Sequence, residues 1–323
     1  MKFSSSEILP IAESSGFREQ MVEKVLHLMN LLNALNTHPF LKGKWSLKGG
    51  TALNMFLSEF PRLSVDIDIN YIGALNREKM LADRPKIEQS FQAVFSREGF
   101  NTKRVPTEHA GGKWRLSYQS YSGQSGNLEV DLNYMFRKPL WDVSLSDSYP
   151  LGNFRAKKVP VLDLHELAAG KLAALFARTQ ARDLFDSRQI FMRDDLDFER
   201  LRIAFVVYGG MNRKDWRTVS IEDIDFDESD LTKQLWPTLH SDTQRELISP
   251  SDYGRKLINA CKNALSVVLP FTDSEQKFLD LLLENGEIDP TLLTSDPLLQ
   301  RNIQNQPLLE WKVLNVRRHK GLS

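Results

Sequence analysis

Between Ser64 and Ile72 the chain alternates without a fault. Val65, Ile67 and Ile69 fall on one side of an extended backbone, and Asp66, Asp68 and Asn70 on the other. Successive side chains of a strand point to opposite faces, so this segment predicts a strand with one buried face and one acidic face. Two further segments repeat the pattern. Lys113 to Tyr121 alternates through Trp114, Leu116 and Tyr118, while Leu128 to Met135 sets Leu128, Val130, Leu132 and Tyr134 against Glu129, Asp131 and Asn133. The stretch Ser122-Gly123-Gln124-Ser125-Gly126-Asn127 between them is loop chemistry, and the pair reads as a hairpin with a loose turn. A chain with three such segments must build a sheet that is covered on one side only.

Helical periodicity frames these strands. Residues 19–35 carry a wide apolar face through Val22, Val25, Leu26, Met29, Leu32 and Leu35, and residues 77–98 return to the same period. Thr51 to Leu57 predicts a helix start with Thr51 as its cap. Beyond Pro160 alternation becomes scarce. Helix patterns then follow at 162–180, 228–248, 252–268 and 273–284, broken by Pro237, Pro250, Pro270 and Pro290. The fold class predicted is α+β. An α/β core with an N-terminal helix takes residues 1–160, and a mainly helical lobe takes 161–323. A length of 323 residues is comfortable for two domains.

Composition narrows the function classes. Lys plus Arg number 42 and Asp plus Glu number 42, so the formal charge is zero and any nucleic-acid contact must use a local patch. The single cysteine, Cys261, forms neither an internal disulfide nor a zinc cluster. No segment approaches the roughly 20 apolar residues that span a bilayer, and the N-terminus lacks the apolar core of a secretory signal. A cytoplasmic protein without a membrane partner is expected. The acidic run 221–230 reads as a solvated loop, since it lacks the glycine and terminal glutamate of a calcium loop. Ile203 to Tyr208 reads as a short buried piece of strand or helix. No histidine is placed as a nucleophile; His109, His165 and His240 suit solvated or capping roles.

Two constellations carry chemistry. In the first, Gly49-Gly50-Thr51 precedes a helix start and Asp66-Ile67-Asp68 follows in a strand. Residues i and i+2 of a strand share a face roughly 6.5 Å apart, so Asp66 and Asp68 can grip one divalent ion. Asp131, on the polar face of another strand, joins them if the strands are neighbours. Carboxylates so placed repel without a counterion. Mg²⁺ suits them because it takes oxygen ligands and binds nucleotide phosphates at once. Two glycines before a helix let a phosphate approach backbone N–H groups. In the second, Lys171, Arg178 and Arg182 fall within roughly 40° on a helical wheel and would form one basic stripe beside Asp183 if the helix runs that far.

The order strand, Gly-Gly, helix, Asp-x-Asp, with a third Asp in a later strand, is similar to that of polymerase-β-like nucleotidyltransferases. More narrowly, Leu47-Lys48-Gly49-Gly50-Thr51-Ala52-Leu53, Arg62-Leu63-Ser64-Val65-Asp66-Ile67-Asp68, and Lys171-Leu172-Ala173-Ala174-Leu175 with Arg178 and Arg182-Asp183 resemble the AbiEii/AbiGii toxin nucleotidyltransferases. The likeness covers about residues 40–190. It implies a two-lobed toxin of a toxin–antitoxin or phage-defence system, with an NTP as substrate and Mg²⁺ (or Mn²⁺) as cofactor. The implied acceptor is the 3′ end of tRNA, so that aminoacylation and translation fail. A separately encoded antitoxin is the implied partner. By motif match, Asp66, Asp68, Lys171 and Asp183 are the catalytic set. Asp66, Asp68 and Asp131 are the metal ligands. Lys48, Gly49, Gly50, Thr51, Ser64, Arg178 and Arg182 lie along the nucleotide.

Cations outside this set that an RNA would need are Lys113, Arg115, Arg137, Lys138, Arg155, Lys157 and Lys158, with a basic tail at Arg317, Arg318, His319 and Lys320. Phe136 and Trp141 are candidate base-stacking rings. Three alternatives stay open from the residues: the same chemistry on a protein or small-molecule acceptor, a metal-dependent nuclease using Asp66, Asp68, Asp131 and Lys171, and an inactive binding module. The Gly-Gly turn favours NTP use, since a nuclease needs no triphosphate cradle.

Overall fold

A computed structural model of the chain describes residues 2–104, 110–246 and 249–321. Two compact units result. One is Met1–Arg137 with Val143–Leu162 and Trp236–Glu246; the other is Lys138–Asp142 with Asp163–Leu235 and Leu247–Ser323.

The first unit opens with α1 (Ser5–Ser15) and α2 (Glu19–Thr37). Its strands are β1 (Trp45–Lys48), β2 (Asp66–Tyr71), β3 (Asn101–Arg104), β4 (Gly111–Gln119), β5 (Ser125–Asn133), β6 (Ser144–Ser146) and β7 (Val159–Val161), with α3 (Gly49–Ala52) after β1 and α4 (Arg77–Arg97) after β2. Among the described residues they form one seven-stranded mixed sheet in the order β3-β4-β5-β2-β1-β7-β6. β2 runs parallel to β5 and antiparallel to β1, and β4 and β5 form the expected antiparallel hairpin.

That hairpin is tighter than the sequence suggests. Ser120 N–H donates to the Gln124 carbonyl, so the turn closes before Ser125 and the small residues Ser125, Gly126 and Asn127 join the strand. The Ser120 hydroxyl and the Tyr121 N–H both donate to the Glu23 carboxylate of α2, which pins the turn.

The apolar face of the sheet is covered by α2 and α4. Trp114 lies fully buried, stacked 5.4 Å from Phe91, with Phe95 edge-on at 5.7 Å. His27 of α2 packs 4.0 Å from Tyr118. Ile67, Ile69, Leu116, Val130 and Leu132 complete the layer. Rings meeting in this way add about 0.5–1.5 kcal/mol per pair beyond their area burial. The segment Trp236–Glu246 belongs to this unit through Leu63 N–H, which donates to the Thr238 carbonyl at 2.9 Å.

The second unit is helical. It holds α5 (Leu164–Ala177), α6 (Ala181–Phe191) and α7 (Phe198–Gly210), followed by shorter helices and turns and ending in the helix Pro307–Lys320. Ile203 to Tyr208 lies inside α7, where Phe205 meets Phe176 and Trp216. The acidic run is spent on short turns: Asp230 accepts from Ala181 N–H at 2.7 Å, and Asp223 and Glu222 pair with Lys214 and Lys262. No helix among the described residues is long and apolar enough to cross a membrane.

Candidate active site

Strand register turns the alternation at Asp66–Asp68 into a surface. Lys48 is the register partner of Asp68, Asp68 of Asp131, and Asp131 of Lys113. Partners on paired strands share a face about 4.8 Å apart. One row across β1, β2, β5 and β4 therefore reads Lys48, Asp68, Asp131, Lys113. The neighbouring row reads Asp66, Glu129, Arg115, Arg104 across β2, β5, β4 and β3. Asp66, Asp68 and Asp131 are half-buried on this face. The predicted adjacency of Asp131 to the Asp-x-Asp pair is thus a property of the parallel β2–β5 pairing.

The β1–α3 turn ends the first row. Gly49 has φ +72°, a left-handed conformation that favours glycine. A Cβ there would lie 2.2 Å from Asp68 Oδ2 and 3.0 Å from its Cβ. The Asp68 carboxyl is therefore seated in the space a side chain at position 49 would fill. Lys48 reaches over the Phe136 ring, its Nζ 5.3 Å from the centroid. Helix α3 begins at Gly49, so Thr51 is not its cap. The Thr51 hydroxyl donates to the Asp66 carbonyl and is hydrogen-bonded to the Ser64 hydroxyl at 3.0 Å. Thr51 and Ser64 are buried and lock the turn to the entry of β2.

The donor set suits a hard divalent ion. Asp66, Asp68 and Asp131 offer oxygens from one face, and one register step away Asn70 Oδ1 and Ser46 Oγ are buried with no hydrogen-bond partner among the described residues. Orphaned oxygens beside a row of acids are what a cation or its water would satisfy. Among the described residues no three His, Cys, Asp or Glu side chains are already drawn together as a metal cage.

The helical unit carries the second constellation. Helix α5 stops at Ala177 because Arg178 turns extended, with φ −154° and ψ 134°. The predicted single-helix stripe of Lys171, Arg178 and Arg182 is therefore not formed. Lys171 and Arg178 instead converge on Asp183 of α6. Lys171 Nζ donates to Asp183 Oδ1 at 2.7 Å and pairs with Asp186 Oδ2 at 2.9 Å, while Arg178 Nε donates to Asp183 Oδ2 at 2.8 Å. Burial alone would raise the Asp183 carboxyl; Lys171 and Arg178 outweigh it and hold it below the ordinary carboxylate value. Arg182, one residue before, is half-buried. Asp186 is not among the residues the sequence assigned to the site, although its spacing three residues after Asp183 places both on one helix face.

Other candidates sort by burial. Arg137 is buried and donates to the Leu75 and Tyr134 carbonyls, so it braces a turn and does not face an RNA, contrary to the sequence expectation. Trp141 lies under Arg200, with its backbone N–H on Glu166. His165 is buried between Asp163 and the Asp197 N–H, a capping role. His109 lies outside the described residues.

The fold itself has a solved counterpart. The chain is similar to the nucleotidyltransferase toxin MenT4 of Mycobacterium tuberculosis H37Rv, with a TM-score of 0.63 at 16% identity, over 95% of this chain and 99% of that one. The molecule is thus an α+β protein of the nucleotidyltransferase-toxin fold. No curated protein matches it by sequence. The family model described as nucleotidyl transferase AbiEii toxin, type IV toxin–antitoxin system, matches residues 30–257. That is well over half of the chain, and the chain belongs to this family: it is a nucleotidyltransferase toxin.

Proposed function

We propose that this toxin moves a nucleotide from an NTP to the 3′ end of tRNA in a Mg²⁺- or Mn²⁺-dependent reaction in the cytoplasm. Translation stops because the altered tRNA no longer accepts its amino acid. A cognate antitoxin restrains the activity, as suits a phage-defence system. The observation that carries this reading is the row Lys48, Asp68, Asp131 on one sheet face, ending at Gly49 with the Asp68 carboxyl seated over it.

In this reading Asp66, Asp68 and Asp131 hold the divalent ion, which when bound offsets triphosphate charge and makes the α-phosphorus more electrophilic. Lys48 and the backbone of Gly49 and Gly50 meet the phosphates. Thr51 and Ser64 act beneath them by bracing the turn. The acceptor hydroxyl oxygen bonds to the α-phosphorus, its proton passes to Asp131, and the bond to pyrophosphate breaks. Lys171, Arg178 and Arg182 serve the same reaction by offsetting phosphate charge. Asp183 positions Lys171 and Arg178; its own depressed pKa makes it a poor proton acceptor. Positioning and electrostatics supply the rate, with no covalent intermediate.

Incubation of total tRNA with each α-labelled NTP and Mg²⁺ tests the proposal. Label should enter RNA with at least one NTP and vanish in Asp66→Ala. Label entering protein or a soluble adduct would refute the tRNA acceptor, and RNA cleavage without NTP would favour a nuclease.

A further inference from the structure

The sheet face continues past the aspartates, and what lies there is cationic. Crossing from β1 to β3, the two register rows begin with Lys48 and Asp66, pass through Asp68, Asp131 and Glu129, and end in Lys113, Arg115 and Arg104. Lys113 and Arg115 are about half exposed, with side-chain exposures of 49% and 56%, and Arg104 is exposed on the edge strand. Both Lys113 and Arg115 are drawn onto the face by one carboxylate: Glu129 accepts from Lys113 Nζ at 3.3 Å and from Arg115 Nη2 at 3.0 Å. Burial would raise Glu129, but these two cations hold it below its ordinary value, so it stays ionised. The two rows balance overall, four cations against four acids, but the charges are segregated: β3 and β4 contribute Lys113, Arg115 and Arg104 and no acid, so the positive charge gathers at this edge.

We infer that this edge, built from Lys113, Arg115 and Arg104, seats the phosphodiester backbone of an acceptor RNA beside the aspartates. The inference rests on the transfer reading above and names the surface its acceptor uses. Two polyanions must meet at the acids, the triphosphate and the acceptor strand. The triphosphate has its own cation and glycines at the β1 end. The opposite end of the same rows supplies charge for the second anion. Glu129 fixes Lys113 and Arg115 in advance, so little side-chain entropy is lost when a phosphate arrives. A protein acceptor would need an acidic segment to match this edge, whereas every RNA carries the complementary charge.

The test is total tRNA binding followed across a salt titration, with NTP·Mg²⁺ affinity measured beside it. The variant K113Q/R115Q should flatten the slope of log K against log salt by about 1.4, near 0.7 for each phosphate of a single strand that is no longer neutralised. Its Kd and KM for tRNA should rise about tenfold, with kcat and NTP·Mg²⁺ affinity unchanged. K113R/R115K keeps both charges and should keep the wild-type slope. A K113Q/R115Q protein that melts like wild type and shows an unchanged slope overturns the assignment, whatever the enzyme transfers. A wild-type protein that labels no RNA, while the substitutions still flatten the slope, upholds this surface and refutes the transfer reading instead.

Discussion

Replacing Gly49 by alanine separates the role of Asp68 from the stability of the fold. The added Cβ would stand 2.2 Å from Asp68 Oδ2, with the Asp68 Cβ and Cγ both at 3.0 Å. Carbon contacts relax near 3.5–4.0 Å, so the carboxyl must retreat by roughly 1 Å. The left-handed backbone at φ +72° adds a penalty of about 1–2 kcal/mol for a side chain. In a chain of this size that lowers Tm by only roughly 2–6 °C. A displacement of about 1 Å at a metal-binding carboxylate, by contrast, costs on the order of 100-fold in rate. Gly49→Ala is therefore expected to fold, to melt a few degrees early, and to lose about two orders of magnitude of nucleotide transfer. Circular dichroism and a labelled-NTP assay read the two quantities separately. A variant that keeps activity within about threefold of wild type would show that the Asp68 seat is not part of the chemistry, since so small a change is far below the effect of a misplaced ligand.

Three further outcomes follow from the geometry. Lys171→Met leaves the buried Asp183 without its ammonium partner and removes one from Asp186; a stability loss of roughly 3–5 kcal/mol is expected in urea unfolding, and a loss below about 1 kcal/mol would mean the pair is solvated after all. Glu166 is fully enclosed, and burial pushes its carboxyl up to about 7 despite hydrogen bonds from the Leu140 and Trp141 N–H groups and the Tyr208 hydroxyl. Because the folded form holds its proton more tightly than the unfolded one, this group's contribution falls as pH rises from about 4.5 to 7 and is flat above, by up to roughly 3 kcal/mol. Glu166→Gln should flatten that part of the melting profile between pH 5 and 8 on the order of this amount; an unchanged profile would place the titration elsewhere. Expression without the antitoxin should arrest growth, and Asp66→Ala or Asp68→Ala, on the half-buried polar face, should restore it with the protein still folded; arrest that persists in both variants contradicts the metal assignment.

The parts of this molecule legible in its sequence are those governed by short period. Val65 to Asn70 alternates because β2 has one face under helices and one open, and the same logic gave β4 and β5. What pattern could not give was register. That Asp131 stands beside Asp68, and Lys113 beside Asp131, depends on which strands pair and in which sense, a long-range outcome no local period encodes. Helix ends depend on the same long-range contacts. Thr51 has the chemistry of a cap, but Gly49 reaches the left-handed conformation that starts the helix earlier, and Thr51 bonds sideways to Ser64 and Asp66. Arg178 continues a helical wheel on paper, yet its backbone is extended and its side chain meets the buried Asp183 carboxylate of the next helix. Asp186 reads in the sequence only as a salt-bridge partner beside Asp183, and it does pair with Lys171; that one ammonium of α5 serves both carboxylates of α6 is a tertiary outcome.

The central claim is that the aspartate row on the sheet face directs a nucleotide onto tRNA. Sequencing of tRNA 3′ ends after incubation with each NTP and Mg²⁺ tests it most directly. The account predicts added nucleotides on wild-type-treated tRNA with at least one NTP, and unmodified ends with Asp68→Ala. Intact 3′ ends with all four NTPs, from a folded protein that binds NTP and Mg²⁺, would contradict it.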